Sequence, residues 1–205
     1  MILGKDSMKN EIEKRVFLTD DQYALLLAKF GVQSKRPERQ ITTYYKAKDI
    51  NLLPTDLRLM QTSEYAMLWL KEGNMHDVCR KEHEVLIESR YAPEIIAILE
   101  ILFEVKTKWF RERIKTQFGK AAVCIDRSIN YGAIFEIEIS VSNEDAMPTE
   151  NGKELLDAYL QELGLEETAK KIQNEKCKYY EENWRKWEYP VDEILWLHHN
   201  GGISG

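Results

Sequence analysis

The stretch GAIFEIEISV, residues 132–141, carries the reading of the fold. Side chains alternate between the two faces of a strand. Phe135, Ile137 and Ile139 therefore share one face, and Glu136 and Glu138 share the other. The first set is wholly apolar and suits a core. The second sets two carboxylates side by side. NEIEKRVFLT, residues 10–19, repeats the arrangement, with Glu11, Glu13 and Arg15 on one face. Two distant segments thus align acids on one side of a strand.

The remaining chain supplies more strands of this kind. RQITTYYKA, DLRLMQT, YAMLWLKE, VCRKEHEVLIE, VKTKWFRERIKTQF and KAAVCIDRS are rich in β-branched and aromatic residues. Pro54-Thr55-Asp56, Glu72-Gly73-Asn74 and Gly119 mark turns between some of them. Helical spacing appears in TDDQYALLLAKFG, where Thr19 and Gln22 form a capping-box pattern and Gly31 a stop. Pro93 opens a second helix, PEIIAILEILFE. NGKELLDAYLQELG and EETAKKIQNEKCKYYEENWRKW make the last third helical. Neighbouring strands with short turns imply antiparallel pairing. The expected class is α+β, a large antiparallel sheet or barrel with helices outside it.

Read by parity, charges gather on strand faces throughout. Arg58 lies in LRLM, Trp69 and Lys71 share a face, and so do Arg80, Glu82 and Glu84. Arg111 and Arg113 share a face, with Lys106 and Lys108 on the opposite parity, and Asp126 closes its strand. A β-bulge between the two basic pairs would bring both to one side. Two readings of these faces stay open at the level of the residues. They are solvated sides of an ordinary sheet, or they line the inside of a barrel whose apolar outside the helices cover. A charged interior needs partners for its charges. The acids are hard oxygen ligands suited to Mg²⁺ or Mn²⁺. The bases suit phosphate oxygens. Together they are the combination that phosphoryl chemistry requires.

Composition narrows the alternatives. The chain has 205 residues and a net charge of −6, which argues against a general nucleic-acid binder. Its 43% hydrophobic and 31% charged content fits an ordinary globular protein. Cys79, Cys124 and Cys177 show no CxxC spacing, so neither a disulfide framework nor a zinc site is expected, and a reducing cytoplasm is the expected compartment. No apolar run is long enough to span a membrane. Residues 1–10 read as a flexible leader, 11–197 as a single domain with a C-terminal helical segment, and 198–205 as a flexible tail.

These motifs resemble the CYTH superfamily, the triphosphate tunnel metalloenzymes. EIEKR is similar to the family's N-terminal Glu-x-Glu-x-Lys signature. TTYYKAKDINLLPTDLRL resembles its Tyr-Tyr stretch leading to Leu-Arg-x-Arg, LWLKEG its Thr-Leu-Lys strand, and CRKEHEV its Arg-x-Glu-x-Glu. FRER resembles its basic pair. CIDRSINYGAIFEIEI resembles its Asp followed by Phe-x-Glu-x-Glu, and LGLEE with KCKYYEE its C-terminal helical segment. Order and spacing hold from about Glu11 to Tyr180.

The resemblance implies a closed antiparallel barrel of eight strands, with helices packed outside and a triphosphate in its tunnel. It implies Glu11, Glu13, Asp126, Glu136 and Glu138 as ligands of Mg²⁺ or Mn²⁺. Arg15, Arg58, Lys71, Arg80, Arg111 and Arg113 would contact phosphate. Glu11, Glu13, Arg15, Glu82 and Glu84 are the expected catalytic group. Arg15 stands where the signature has Lys, Met60 where a second basic residue is common, and Lys46 where an acid is common. The expected activity is hydrolysis of inorganic triphosphate, thiamine triphosphate or a nucleoside triphosphate. Cyclisation of ATP to cyclic AMP and non-catalytic polyphosphate or nucleotide binding are the alternatives. The expected partner is a small triphosphate, with neither nucleic acid nor membrane, and the chain is expected as a monomer or homodimer.

Other residues are assigned to packing or the surface. His83 has the parity opposite to Glu82 and Glu84 and is placed outside, while His76, His198 and His199 take no role. Cys79 and Cys124 read as small packed residues. Trp184, Trp187 and Trp196 are expected to pin the C-terminal segment, and Tyr179 either packs or closes the tunnel mouth.

Overall fold

A computed structural model describes residues 9–47, 55–72, 82–142 and 149–186. Arg80, Cys79, His76, Trp187, Trp196, His198 and His199 lie outside the described residues, as does the tail expected at 198–205. The strands are β1 Lys9–Leu18, β2 Glu38–Ala47, β3 Thr55–Gln61, β4 Tyr65–Glu72, β5 Glu82–Glu88, β6 Phe103–Phe118, β7 Ala121–Ser128 and β8 Gly132–Ser142. The helices are α1 Asp20–Lys29, α2 Ala92–Leu102, α3 Thr149–Leu163 and α4 Lys170–Asn183. The α+β class follows, with antiparallel pairing as the short turns imply.

All eight strands belong to one sheet, ordered β1-β8-β7-β6-β2-β3-β4-β5. The end strands are β1 and β5, and the described pairings do not join them into the expected closed barrel. The Thr168 amide donates to the Arg15 carbonyl at 3.0 Å, and the Thr168 hydroxyl accepts from the Phe17 amide at 2.9 Å. A loop residue thus satisfies two main-chain groups of β1. The same loop separates α3 from α4, so the last helix starts at Lys170, later than its pattern predicts.

The chain divides into two compact units. One contains residues 1–35, 114–126 and 133–169; the other contains 36–113, 127–132 and 170–205. In the first, Phe135, Ile137 and Ile139 of β8 are buried with Val16, Val123, Ile125, Leu156 and Leu160. Full burial of such a side chain stabilises by about 1.5–3 kcal/mol. The parity read from GAIFEIEISV is therefore the one the core uses. α1 begins with the expected capping box, in which Thr19 and Gln22 satisfy each other's amides. Gly119 turns β6 into β7 at φ +58, with the Tyr159 ring packed where a Cβ would stand.

The second unit has its own core of Tyr45, Leu57, Leu59, Ala66, Ile87, Ala92 and Leu99. In β3, Leu57 and Leu59 face this core, while Arg58 and Met60 take the opposite parity. α2 ends at Leu102 because Phe103 already has extended dihedrals and opens β6.

Candidate functional site

The first unit carries an acidic face. β1 and β8 pair so that Glu13 lies directly opposite Glu138 and Arg15 directly opposite Glu136. Like charges opposite each other on adjacent strands repel, so this register requires cations. Arg15 supplies one. Its Nη2 lies 2.8 Å from Glu13 Oε1 and 2.7 Å from Glu136 Oε1, and its Nε donates to Glu136 at 2.9 Å. Three carboxylates and one guanidinium thus line this stretch of the ladder. Glu11 holds the position opposite Ser140 in the same ladder. Asp126, on β7, is 1% exposed.

These donors fit a hard divalent cation by their chemistry. Their arrangement is set by Arg15. Among the described residues, no three His, Cys, Asp or Glu side chains converge as a ready-made metal cage. On the other face of β1, Lys14 bridges Asp157 of α3 at 2.5 Å and Glu167 at 3.1 Å. Burial opposes its charge, but the two carboxylates outweigh it and raise its pKa. Sequence reading missed this bridge, which ties the metal-candidate strand to the helical segment.

The second unit carries a cationic and aromatic face. Its registers place Thr107, Tyr44, Arg58, Trp69 and Glu84 in one row across five strands. Arg58 Nη2 lies 2.6 Å from Asp56 Oδ2, and its Nη1 is 3.4 Å from the Tyr44 hydroxyl. Its guanidinium carbon stands 5.1 Å from the Tyr44 ring centroid and 5.9 Å from that of Trp69. Lys71 occupies the position between Asp56 and Glu82. Arg111 pairs with Gln40 and donates to its Oε1 at 2.7 Å, while Arg113 pairs with Glu38. Gln40 in turn donates to Glu38. Two hydroxyls of this face, Thr42 Oγ1 and Thr107 Oγ1, are buried without a hydrogen-bond partner. Such groups suit a phosphate oxygen or water.

The expectation about the basic strand needs correction. A bulge does occur in β6, but it falls at Lys106, between the pairs Tyr44–Thr107 and Tyr45–Val105. From Thr107 onward the alternation is unbroken, so Lys108 stays on the face opposite Arg111 and Arg113. Helices claim the two lysines: Lys106 pairs with Glu181 of α4 at 2.8 Å, and Lys108 approaches Glu100 of α2 at 3.9 Å. His83 pairs opposite Leu70, on the parity away from Glu84, as expected. Trp184 pins its segment as expected, its indole donating to the Lys106 carbonyl at 3.0 Å. The packed tyrosine is Tyr180, stacked on Trp109 at 3.9 Å, whereas Tyr179 is exposed.

Asp56 reads as part of a turn in the sequence and lies in β3, Tyr44 reads only within the Tyr-Tyr stretch, and Glu38 and Gln40 are not singled out by the sequence. Their signal is parity: residues 38, 40, 42 and 44 alternate onto the Arg111 face.

With this geometry in hand, a comparison with protein families matches the CYTH domain over residues 9–172. The chain belongs to the CYTH family. Solved structures share the CYTH fold at low identity. A Bacillus halodurans protein that carries an adenylate-cyclase designation aligns with TM-score 0.59 and 17% identity, covering 82% of this chain and 98% of that one. The PH1819 protein of Pyrococcus horikoshii aligns with TM-score 0.60 and 22% identity, covering 77% and 92%. A Hippeastrum protein designated an adenylyl cyclase, and described as having a dominant triphosphatase activity, aligns with TM-score 0.52 and 14% identity, covering 80% and 94%. No curated protein matches the chain. No helix among the described residues of this CYTH protein is long and apolar enough to cross a membrane.

Proposed function

We propose that this CYTH protein hydrolyses a triphosphate with the help of Mg²⁺ or Mn²⁺. The observation that carries the reading is the β1–β8 ladder, where Glu13 faces Glu138 and Arg15 binds both Glu13 and Glu136. In this reading Glu11, Glu13, Asp126, Glu136 and Glu138 hold the cation. A bound divalent cation would neutralise phosphate oxygens and polarise an attacking water. Arg15 fixes the spacing of Glu13 and Glu136 and offers its charge to phosphate. Arg58, Lys71, Arg80, Arg111 and Arg113 bind the phosphates and stabilise charge on the leaving diphosphate. Glu82 and Glu84 complete the acidic side and orient the water. The closed tunnel implied by the family, a cytoplasmic location and a monomeric or homodimeric state belong to this proposal.

Cyclisation of ATP is the second reading, favoured by the cyclase designations of structural relatives. One assay separates the two. The protein is incubated with Mg²⁺ or Mn²⁺ and tripolyphosphate, thiamine triphosphate or ATP, and phosphate and cyclic AMP are measured. Phosphate release is expected. Cyclic AMP without phosphate refutes hydrolysis, and binding without either product makes the protein a non-catalytic module. In the Glu136→Gln, Glu138→Gln variant, turnover should fall on the order of 100-fold, the scale of losing an electrostatic stabiliser.

A further inference from the structure

Arg58, assigned above to phosphate, stands between two aromatic rings. We infer that Trp69 and Tyr44 are positioning residues that hold the Arg58 guanidinium as a preset phosphate fork, an inference that rests on Arg58 being a phosphate contact. The registers set Arg58 directly between them, with Tyr44 opposite on β2 and Trp69 opposite on β4. Both rings lie within 6 Å of its guanidinium carbon, at 5.1 and 5.9 Å, the range of cation–π attraction. Asp56, two residues away on the same strand face, holds Nη2 at 2.6 Å, and the Tyr44 hydroxyl lies 3.4 Å from Nη1.

An arginine on a polar strand face normally samples many rotamers, and fixing it costs affinity on binding. Rings on both sides restrict the guanidinium before any ligand arrives. The Asp56 carboxylate meets it as a phosphate oxygen would. The carboxylate also competes with the incoming phosphate, which makes the rings, rather than Asp56, the part of the arrangement that favours binding. Thr107, with its buried and unpartnered hydroxyl, sits opposite Tyr44 in the same row. The row therefore offers a phosphate both a fixed charge and a hydroxyl donor.

A double-mutant cycle tests the inference. Binding of inorganic tripolyphosphate is measured by isothermal titration calorimetry with EDTA present, for the wild-type chain, Trp69→Leu, Trp69→Phe, Arg58→Gln and the Trp69→Leu, Arg58→Gln double variant. Trp69→Leu should weaken binding about five- to tenfold, between the scale of an exposed and that of a desolvated cation–π contact. Trp69→Phe should restore most of the affinity. In the Arg58→Gln background, Trp69→Leu should change affinity less than about twofold, because its partner is gone. Tyr44→Leu should behave like Trp69→Leu, which keeps the test open if one variant folds poorly; thermal midpoints identify such a variant. Equal effects of Trp69→Leu in both backgrounds overturn the inference, and so does absence of tripolyphosphate binding by the wild-type chain. Hydrolysis without coupling between residues 58 and 69 refutes the inference alone. Coupled binding without hydrolysis supports it and refutes the hydrolase reading.

Discussion

Arg15→Gln tests the acidic face most directly. The wild-type guanidinium lies 2.7–2.8 Å from carboxylates on two strands. Unit charges about 4 Å apart interact by about 4 kcal/mol at an effective dielectric of about 20. Water reduces that gross figure. The Arg15 side chain is 31% exposed and Glu136 14%, so the pair lies between the exposed limit of about 0–1 kcal/mol and the buried limit of about 3–5 kcal/mol. A net loss of about 2 kcal/mol follows, part of it from Glu13 facing Glu138 with less compensation. For a chain of about 200 residues that lowers the thermal midpoint by about 4–8 °C. Differential scanning fluorimetry in EDTA reads the loss. Mn²⁺ titration should then stabilise the variant more than the wild type, because its carboxylates carry one more uncompensated charge. At 100 times the dissociation constant, a single bound ion contributes about 2.7 kcal/mol. An unchanged midpoint in EDTA, or a smaller Mn²⁺ shift in the variant than in the wild type, would refute the reasoning.

Other outcomes follow from single contacts. Gly119→Ala should destabilise by about 2–4 kcal/mol by chemical denaturation, since φ +58 strains an L-residue and the new Cβ meets the Tyr159 ring. Tyr180→Phe removes the hydroxyl that donates to the Lys108 carbonyl at 3.0 Å and should cost about 1–2 kcal/mol. Alkaline pH should unfold the protein early. Lys14 is raised above 10.5 by its carboxylate partners against the effect of burial. Burial, with Glu100 adding to it, pushes Tyr45 up from 10.0, and burial together with Glu38 raises Tyr65. All three groups hold their protons more tightly when folded. Their stabilisation is complete below the unfolded values and is lost as pH rises through the folded ones. Thermal midpoints should therefore fall progressively above about pH 10, and Lys14→Met should make the fall shallower.

Much of this molecule is legible in its sequence because strand parity is a local rule. Glu136 and Glu138 cannot share a face with Phe135, Ile137 and Ile139, whatever the tertiary context. The core confirms which face is apolar. The capping box at Thr19 and the edge between α2 and β6 are also short-range, although Phe103 shows that helix ends shift by a residue or two when the next strand claims them.

Parity says nothing about register, and register decided the chemistry. It set Glu13 against Glu138 and Arg15 against Glu136, which turned a row of acids into a shared ionic cluster. It set Tyr44 and Trp69 on either side of Arg58. It put the β6 bulge at Lys106, so that Lys108 remained on the face opposite Arg111. The partners of these residues lie between 11 positions (Arg58 and Trp69) and 125 positions (Glu13 and Glu138) away in the chain. Only packing brings them within the few ångströms over which charges, rings and hydrogen bonds act. Local alternation fixes which residue types line each strand face, and register and packing fix which of them meet.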